Sequence, residues 1–446
     1  MSSTAPNILF IMADDLGWAD LSVYGQTEFS TPNLDRLAAR GVRFTQAYAN
    51  SAVCSATRFA LMTGRYQYRL RGGLEEPMAG IRANEQLGLP PEHPTLPSLL
   101  RAAGYATALI GKWHLGRPPH FGPTKSGYEY FFGNLGGAVD YFTHSYGVGP
   151  NAKHDLYLGD DPVKREGYYT YVLGDEACRY IRQASTDKPF FLSLHFTAPH
   201  WPWVGPNDEH VSRQLTNLHH HDGGNLAVYA EMVRALDNAV GQVLAALDER
   251  NIAQNTIVIF TSDNGGERFS KTWPFVGQKT ELLEGGIRVP TIMTWPARLR
   301  PQVSDQVTIT MDWLPTLLAA AGVETHPDFP SDGDNILPVL EGHKNPYERT
   351  LFWRYKANRQ RAVRSGKWKY LKINDNEFLF DLEYDVRERA NFREKHPDVF
   401  ERLKSLWEEW NAGFLPITDE VYSHGVTSDV QADRYAPEPA MPVPGR

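Results

Sequence analysis

Uninterrupted apolar runs alternate along the chain with segments in which apolar residues recur every three or four positions. The runs Asn7–Ala13 and Thr256–Ser262 fit strands that are buried on both faces of a sheet. Amphipathic helices are predicted at residues 31–40, 96–103, 226–250 and 311–321. This alternation predicts an α/β fold, in which helices sandwich a large, mixed and mainly parallel sheet.

A different pattern follows the last of these helices. Short strands are predicted at residues 350–355, 360–364, 367–373 and 377–381, and a helix at residues 397–412. The chain of 446 residues also exceeds what one small core can hold. We therefore predict an α/β domain at residues 1–340 and a C-terminal subdomain at residues 341–446, which combines a small antiparallel sheet, a helix and an extended tail.

Composition and charge narrow the class of protein. The apolar share of 41% and the charged share of 22% are ordinary for a globular protein, and the net charge of −8 argues against a nucleic-acid binder. No apolar run is long enough to cross a bilayer, and residues 1–6 lack the basic and apolar regions of a signal peptide. We expect a cytoplasmic protein without a membrane partner.

Both buried runs end in oxygen-bearing side chains. Asp14 and Asp15 follow the first run, and Asp263 and Asn264 follow the second. The carboxyl ends of parallel strands are where open α/β sheets bind ligands, and hard oxygen ligands suit Ca²⁺ or Mg²⁺ better than copper or zinc. Either pair alone would fit a turn or a helix cap, but the matched pairs favour a cation site.

Two further pairs of residues suggest chemistry on an anion. A helix that begins at Cys54 would carry Arg58 on the same face, and its N-terminus would favour negative charge at position 54. Lys112 and His114 are two positions apart, so an extended backbone would direct both side chains to one face. Taken singly, Cys54 also fits a buried structural thiol, and the other pair a solvated lysine beside a core histidine.

Together these segments resemble the type I sulfatases, the formylglycine-dependent arylsulfatase family of the alkaline-phosphatase superfamily. Residues 52–64 are similar to the first family signature, around the cysteine that is converted to formylglycine, and residues 104–116 to the second. The likeness continues through residues 198–200, 262–265, 278–280 and 284–290, so it covers most of the chain. Ala56 and Phe59 stand where the family usually has proline and glycine.

The resemblance implies a role for each matching residue. Cys54, as a hydrated formylglycine, would be the nucleophile, and Asp263 would accept its proton. Arg58 would bind the diol, and Lys112 and Lys279 would bind the sulfuryl oxygens. His200 would protonate the leaving alcohol, and His114 would promote sulfate release. The implied metal ligands are Asp14, Asp15, Cys54, Asp263 and Asn264, with Ca²⁺ as the expected cation and Mg²⁺ or Mn²⁺ as alternatives.

The implied activity is hydrolysis of organic sulfate esters of the arylsulfatase type. The expected partners are a small-molecule or saccharide sulfate ester and a formylglycine-generating maturation enzyme, and the long tail favours a homodimer. Two alternatives stay open: a phosphomonoester or phosphodiester hydrolase on the same scaffold, and a catalytically silent sulfate-ester-binding protein in which Cys54 stays a thiol. The motifs do not specify the alcohol part of the substrate.

Some residues outside these motifs also deserve an interpretation. Asp140, Tyr141 and His144 follow the second signature and are expected to shape the leaving-group pocket. His195 is expected on a strand near the rim of the pocket, and the histidines at residues 219–221 are expected at the tip of a loop.

Overall fold

The computed structural model describes residues 5–79, 87–426 and 431–432. Its strands are β1 (Asn7–Ala13), β2 (Val42–Phe44), β3 (Ala47–Tyr48), β4 (Ala106–Gly111), β5 (Tyr130–Gly133), β6 (Ser145–Tyr146), β7 (Lys153–His154), β8 (Tyr157–Leu158), β9 (Asp161–Pro162), β10 (Phe190–His195), β11 (Thr256–Ser262), β12 (Thr291–Thr294), β13 (Gln302–Ser304), β14 (Thr308–Ile309), β15 (Thr350–Tyr355), β16 (Gln360–Ser365), β17 (Trp368–Ile373) and β18 (Asn376–Asp381). Its α-helices are α1 (Pro32–Ala39), α2 (Cys54–Thr63), α3 (Leu96–Ala102), α4 (Tyr169–Gln183), α5 (Glu209–Ser212), α6 (Leu226–Glu249), α7 (Glu284–Ile287), α8 (Trp313–Ala321), α9 (Leu337–Leu340) and α10 (Pro397–Ala412).

A ten-stranded sheet forms the centre of the larger part, with the strand order β13-β2-β12-β11-β1-β10-β4-β5-β8-β9. The central strands β11, β1, β10, β4 and β5 run parallel to one another. The antiparallel strand β12 continues the sheet on one side, and the antiparallel strands β8 and β9 complete it on the other. This arrangement confirms the prediction of a mixed and mainly parallel sheet.

Strand β1 shows why an unbroken apolar run belongs at the centre of such a sheet. Alternate side chains point to opposite faces, so Leu9 and Ile11 join one core cluster and Ile8, Phe10 and Met12 join another. The first cluster includes residues of α1, α4 and α6, and the second includes residues of α2, α3 and α8. Helices therefore cover both faces of the sheet, as the sequence predicts.

The predicted helices form with small shifts at their ends. The helix predicted at residues 226–250 is α6, and the side chain of Asn225 caps it by accepting a hydrogen bond from Val228 N–H at 3.1 Å. The helix predicted at residues 311–321 begins later, at Trp313, after a 3₁₀ turn at Thr310–Asp312. Asp312 accounts for the delay, because its carboxylate accepts a hydrogen bond from Ile309 N–H and pairs with Arg349.

The C-terminal part forms the predicted antiparallel sheet, in which β15 to β18 follow one another in order and α10 packs against it. The predicted division after residue 340 lies between α9 and β15 and stays a prediction. The tail continues from α10 along the body of the protein as far as residue 426, and most of its remaining predicted course lies outside the described residues. Among the described helices, none has the length and apolar character needed to span a membrane.

Candidate active site

The ends of strands β1 and β11 bring the predicted oxygen ligands together. The two strands are parallel neighbours, so Asp14 and Asp15 leave one strand beside the point where Asp263 and Asn264 leave the other. The Asp15 N–H donates to Asp263 Oδ1 at 3.3 Å, and Asn264 Nδ2 donates to Asp15 Oδ1 at 2.7 Å. All four side chains are buried.

Two oxygens of this group fit a cation rather than a hydrogen-bond donor. Asp14 Oδ1 and Asn264 Oδ1 are buried, and neither has a hydrogen-bond partner within the described part of the chain. Asp14, Cys54 and Asp263 each offer a ligand atom, and these three atoms lie within 4.8 Å of one another. Because buried polar atoms are normally satisfied, oxygens left open in such a cluster suit a hard cation. Burial, and then the charge of Asp263, raise the pKa of Asp14 well above its ordinary value, although the charges of Lys112 and Arg58 oppose the shift.

Helix α2 begins at Cys54 and holds Arg58 one turn later. Arg58 Nε and Nη2 donate to Asp263 Oδ2 at 3.0 and 2.8 Å, and Nη1 donates to the carbonyl of Lys112 at 3.1 Å. Burial raises the pKa of the Cys54 thiol, although the nearby Lys112 opposes this shift. Burial therefore dominates the pKa of the thiol, and the expectation that the helix N-terminus favours negative charge at position 54 stays a prediction.

Two lysines pair with the carboxylates of the site. Lys112 Nζ lies 2.5 Å from Asp14 Oδ2, and Lys279 Nζ lies 2.6 Å from Asp15 Oδ2. Burial lowers the pKa of Lys279, but the charge of Asp15 and its other anionic neighbours outweighs this effect and raises it overall. Together with Arg58 and Asp263, these contacts give three buried ion pairs, one for each carboxylate.

The backbone that carries Lys112 and His114 is not extended, so that expectation is wrong. Strand β4 ends at Gly111, where φ is +112° and an added Cβ would lie 1.9 Å from the carbonyl oxygen of His195. His114 also has a positive φ, of +62°. This irregular turn still directs both side chains into the site, because glycine permits the conformation that brings β4 against β10.

His114 contacts the sulfur of Cys54. Its Nδ1 lies 3.3 Å from Cys54 Sγ, and its Nε2–H donates to the carbonyl of Met78 at 2.8 Å, which leaves Nδ1 as the acceptor in the neutral ring. Burial, and then the charge of Lys112, lower the pKa of His114 well below its ordinary value. The ring is therefore neutral, with its lone pair on the side of residue 54.

His200 lies on the other side of the carboxylates. Its Nε2 is 3.6 Å from Asp15 Oδ2, and its Nδ1–H donates to the carbonyl of Trp201 at 2.8 Å. The ring lies against the indole of Trp201, with 4.1 Å between the centroids. Burial, and then the charge of Lys279, lower the pKa of His200 well below its ordinary value.

Four residues assigned to the pocket from the sequence lie behind it. His195 is on β10, but its Nδ1 lies 3.2 Å from Arg58 Nη1, so it is buried under the site rather than at the rim. The expected pocket-shaping residues Asp140, Tyr141 and His144 are also buried and do not line the cavity. Tyr141 instead supports the site, because its hydroxyl donates to the carbonyl of His200 at 2.8 Å.

A cavity of about 530 Å³ opens above Cys54, and its lining combines the predicted residues His114, His200 and Lys279 with residues that the sequence did not single out. Among these are Met78, Tyr146, Trp201, Leu218, Tyr422 and His424. His219 also lines the cavity, so the predicted loop at residues 219–221 is part of the site. These residues come from separate loops and from the two-residue strand β6, and no local signal in the sequence marks them.

Comparison with known families places this geometry in context. The family described as "Sulfatase" matches residues 6–323. The family described as "N-sulphoglucosamine sulphohydrolase, C-terminal" matches residues 276–412. The two matches together cover the large sheet, the ionic cluster around residue 54 and the C-terminal sheet, and they end before Tyr422 and His424.

Individual proteins are similar over most of the chain. N-acetylgalactosamine-6-sulfatase of Sus scrofa is 36% identical over 389 residues, which cover 82% of this chain and 71% of the relative. N-acetylgalactosamine-6-O-sulfatase of Bacteroides thetaiotaomicron is 30% identical, with 91% and 93% covered. The crystal structure of Ps i-CgsB in complex with k-i-k-neocarrahexaose has a TM-score of 0.84 and 30% identity, with 96% of each chain covered.

Proposed function

The chain belongs to the sulfatase family and is a sulfuric ester hydrolase, and we propose that it uses a formylglycine made from Cys54, beside a divalent cation, to hydrolyse small organic sulfate esters. The observation that carries this proposal is the cluster of three buried ion pairs around residue 54. The charges within these three pairs cancel, and Glu267 lies 3.9 Å from Lys279 Nζ, so the bound dication would supply the positive charge that attracts an R–O–SO₃⁻ group.

The cation would be held by Asp14, Asp15, Asp263 and Asn264, with residue 54 as a further ligand. The open oxygens Asp14 Oδ1 and Asn264 Oδ1 support this ligand set, and the all-oxygen protein donors favour Ca²⁺ over a softer metal. When bound, the cation would lower the pKa of the attacking hydroxyl and polarise the sulfuryl oxygens.

The hydrated formylglycine would supply two hydroxyl groups on one carbon. One oxygen attacks sulfur and displaces the alcohol, and the other then loses its proton, so that the aldehyde re-forms as the carbon–oxygen bond to sulfate breaks. Water restores the diol. A serine in this position would form a sulfate ester without a second hydroxyl on the same carbon, and that ester would need a second attack.

The surrounding side chains fit the proton transfers that this route needs. His114 Nδ1, which faces residue 54 as an acceptor, is placed to take the proton of the second hydroxyl. His200 lines the cavity and directs Nε2 towards the carboxylates. In its doubly protonated form, with Nδ1–H held by the carbonyl of Trp201, it would donate the Nε2 proton to the departing alcohol. Lys112 and Lys279 would bind the sulfuryl oxygens as charge shifts during the transfer.

Substrate comparison tests the reaction class. The protein would be coexpressed with a formylglycine-generating enzyme and offered 4-nitrophenyl sulfate, 4-nitrophenyl phosphate and bis(4-nitrophenyl) phosphate at equal concentrations. We expect the sulfate ester to give the highest kcat/KM. A higher kcat/KM for either phosphoester would contradict the proposal and favour a phosphoester hydrolase.

Peptide mass spectrometry tests the modification in the same preparation. We expect the peptide that contains residue 54 to carry the aldehyde or its hydrate. If Cys54 stays a thiol after coexpression, while a control sulfatase is converted by the same enzyme, the formylglycine route is wrong for this chain.

A further inference from the structure

The C-terminal tail returns to the active site as a short extended segment, residues 421–424, which we name the strap. The strap lies beside residues 75–76 in a parallel arrangement. The Glu76 N–H donates to the carbonyl of Tyr422 at 2.9 Å, and the His424 N–H donates to the carbonyl of Glu76 at 2.6 Å. These two bonds place Tyr422 and His424 where both line the cavity above Cys54.

Side chains of the body hold the strap and the residues that lead into it. Lys356 Nζ donates to three backbone carbonyls of the tail, those of Thr418, Asp419 and Val421. Ser423 Oγ donates to Glu76 Oε2 at 2.7 Å, and the Tyr355 hydroxyl donates to the carbonyl of His424 at 2.7 Å. Because both backbone and side-chain groups fix it, the strap is an integral wall of the cavity.

A second part of the cavity lining consists of the rings of His200, Trp201 and His219, which we name the ring row. The indole of Trp201 lies 4.1 Å from the ring of His200 and 4.4 Å from that of His219, and His219 lies 5.4 Å from His221 in a parallel stack. Glu267 holds the indole in place, because it accepts a hydrogen bond from Trp201 Nε1 at 3.1 Å. The rings extend from the proposed acid His200 towards the cavity mouth.

The walls between which the alcohol would sit carry little charge. Across the described lining, Lys279 is the one side chain with a permanent charge, and it faces the carboxylates. Burial lowers the pKa of His424 to about 4 and also lowers that of His219, so both rings are neutral near pH 7. A neutral imidazole offers one donor and one acceptor, a combination that suits hydroxyl groups.

We propose that the strap and the ring row form the leaving-group subsite, and that this subsite selects an uncharged cyclic alcohol such as a neutral sugar ring. The inference rests on the proposed function and adds the substrate class to it. A leaving group with its own sulfate or carboxylate would lose hydration on entry, and the described residues of these walls offer it no cation besides Lys279, which opposes binding. A neutral ring would contact the aromatic rings and exchange hydrogen bonds with the imidazoles.

A matched pair of substrates tests the charge preference. N-acetylgalactosamine 6-sulfate and N-acetylgalactosamine 4,6-disulfate present the same sulfate ester on a neutral and on an anionic leaving group. We expect kcat/KM for removal of the 6-sulfate to be at least tenfold higher for the monosulfated sugar. An equal or higher value for the disulfated sugar would overturn the inference.

Variants of the strap test which residues make the selection. We expect His424→Ala and Tyr422→Phe to lower the ratio of kcat/KM for N-acetylgalactosamine 6-sulfate to kcat/KM for 4-nitrophenyl sulfate by about tenfold, mainly through a higher KM for the sugar. The matched controls His343→Ala and Tyr384→Phe change exposed residues that do not line the cavity, and they should leave the ratio unchanged.

The outcomes separate this inference from the proposed function. An equal loss on both substrates, or no change in the ratio, would overturn the role of the strap while sulfatase activity stands. If the unaltered, converted enzyme cleaved no sulfate ester at all, the proposed function would fall and this inference with it. The melting temperature of each variant, compared with that of the unaltered enzyme, identifies a loss that is due to unfolding.

Discussion

The ammonium group of Lys369 on β17 lies 2.9 Å from the carboxylate of Glu284 at the start of α7, and both side chains are fully buried. Glu388 completes the group, with Oε1 at 2.8 Å from Lys369 Nζ. The contact joins the C-terminal sheet to the segment that follows Lys279. It therefore fixes the C-terminal sheet against the loop that carries the active-site residue Lys279.

Replacement of this lysine should destabilise the protein strongly. Lys369→Met removes the cation that pairs with Glu388 and leaves Glu284 with Arg288 as its remaining ion-pair partner in the described structure, and loss of one partner from a buried pair costs about 3–5 kcal/mol in the free energy of unfolding. Urea denaturation measures the change. The control Lys404→Met removes a partly exposed contact with Glu377 and should leave the midpoint nearly unchanged. Equal midpoints for Lys369→Met and the unaltered protein would contradict the prediction.

The same cluster should make stability depend on pH. Burial raises the pKa of Glu388 from 4.5 to about 7, so its stabilising contribution is complete below pH 4.5 and is lost as the pH rises to about 7. Glu388→Gln mimics the protonated form. The unfolding free energy of this variant minus that of the unaltered protein should therefore increase between pH 4.5 and 7 and stay constant above pH 7. Unfolding free energies at four pH values measure this difference. For the exposed control Glu324→Gln the difference should be flat, and a flat profile for Glu388→Gln would show the prediction to be wrong.

Cys54→Ser should abolish sulfate ester turnover and leave the fold intact. Serine is similar in size but cannot form the diol, so we expect kcat to fall by at least about 10³-fold with an unchanged circular dichroism spectrum. The control Cys178→Ser changes the other cysteine, which is buried in α4 away from the site, and should keep its activity. Turnover by Cys54→Ser near the original rate would refute the covalent route.

Calcium should stabilise the folded protein through the open oxygens of the site. A ligand present at 100 times its Kd adds about 2.7 kcal/mol to the free energy of unfolding, so Ca²⁺ should raise the melting temperature and a chelator should reverse the effect. Asn264→Ala removes the open Oδ1 and should abolish most of the shift. The exposed control Asn207→Ala should retain it, and an identical shift in both variants would exclude Asn264 as a ligand.

Ala56→Pro should be tolerated by the fold. The first hydrogen bond of α2 runs from Thr57 N–H to the carbonyl of Val53, and in the described structure the Ala56 N–H has no acceptor. Proline is accepted in the first turn of a helix because that N–H is not used there, so we expect the unfolding free energy to change by less than about 1 kcal/mol. Formylglycine content should equal or exceed that of the unaltered chain. A large loss of stability would show that the backbone at residue 56 is constrained in some other way.

The architecture and the inner part of the site were predictable from the sequence for the same reason. Parallel strands end at one edge of a sheet, so the apolar runs before Asp14 and Asp263 determine that their carboxylates meet. Helical periodicity likewise predicted α6 almost to the residue. These features depend on regular backbone geometry, which a short window of sequence encodes.

The irregular parts were not predictable in this way. The turn from Gly111 to His114 relies on positive φ values, and the sequence pattern suggested an extended segment. The protonation preference of Cys54 depends on burial, which the whole fold determines. Tyr422 reaches the cavity because distant residues hold the tail, among them Glu76, which is 347 positions from its partner Ser423. Contacts of such long range leave no local trace in the sequence.

The residues proposed to activate sulfur and those proposed to contact the alcohol lie in different parts of the chain. The residues proposed to activate sulfur belong to the sheet edge and to the loops around it, whereas part of the wall that meets the alcohol comes from a segment beyond the last helix. Mutations in that segment can alter which alcohol is accepted without disturbing the ionic cluster beneath. A change confined to residues 421–424 would therefore shift the preference for the alcohol while the catalytic residues stay the same.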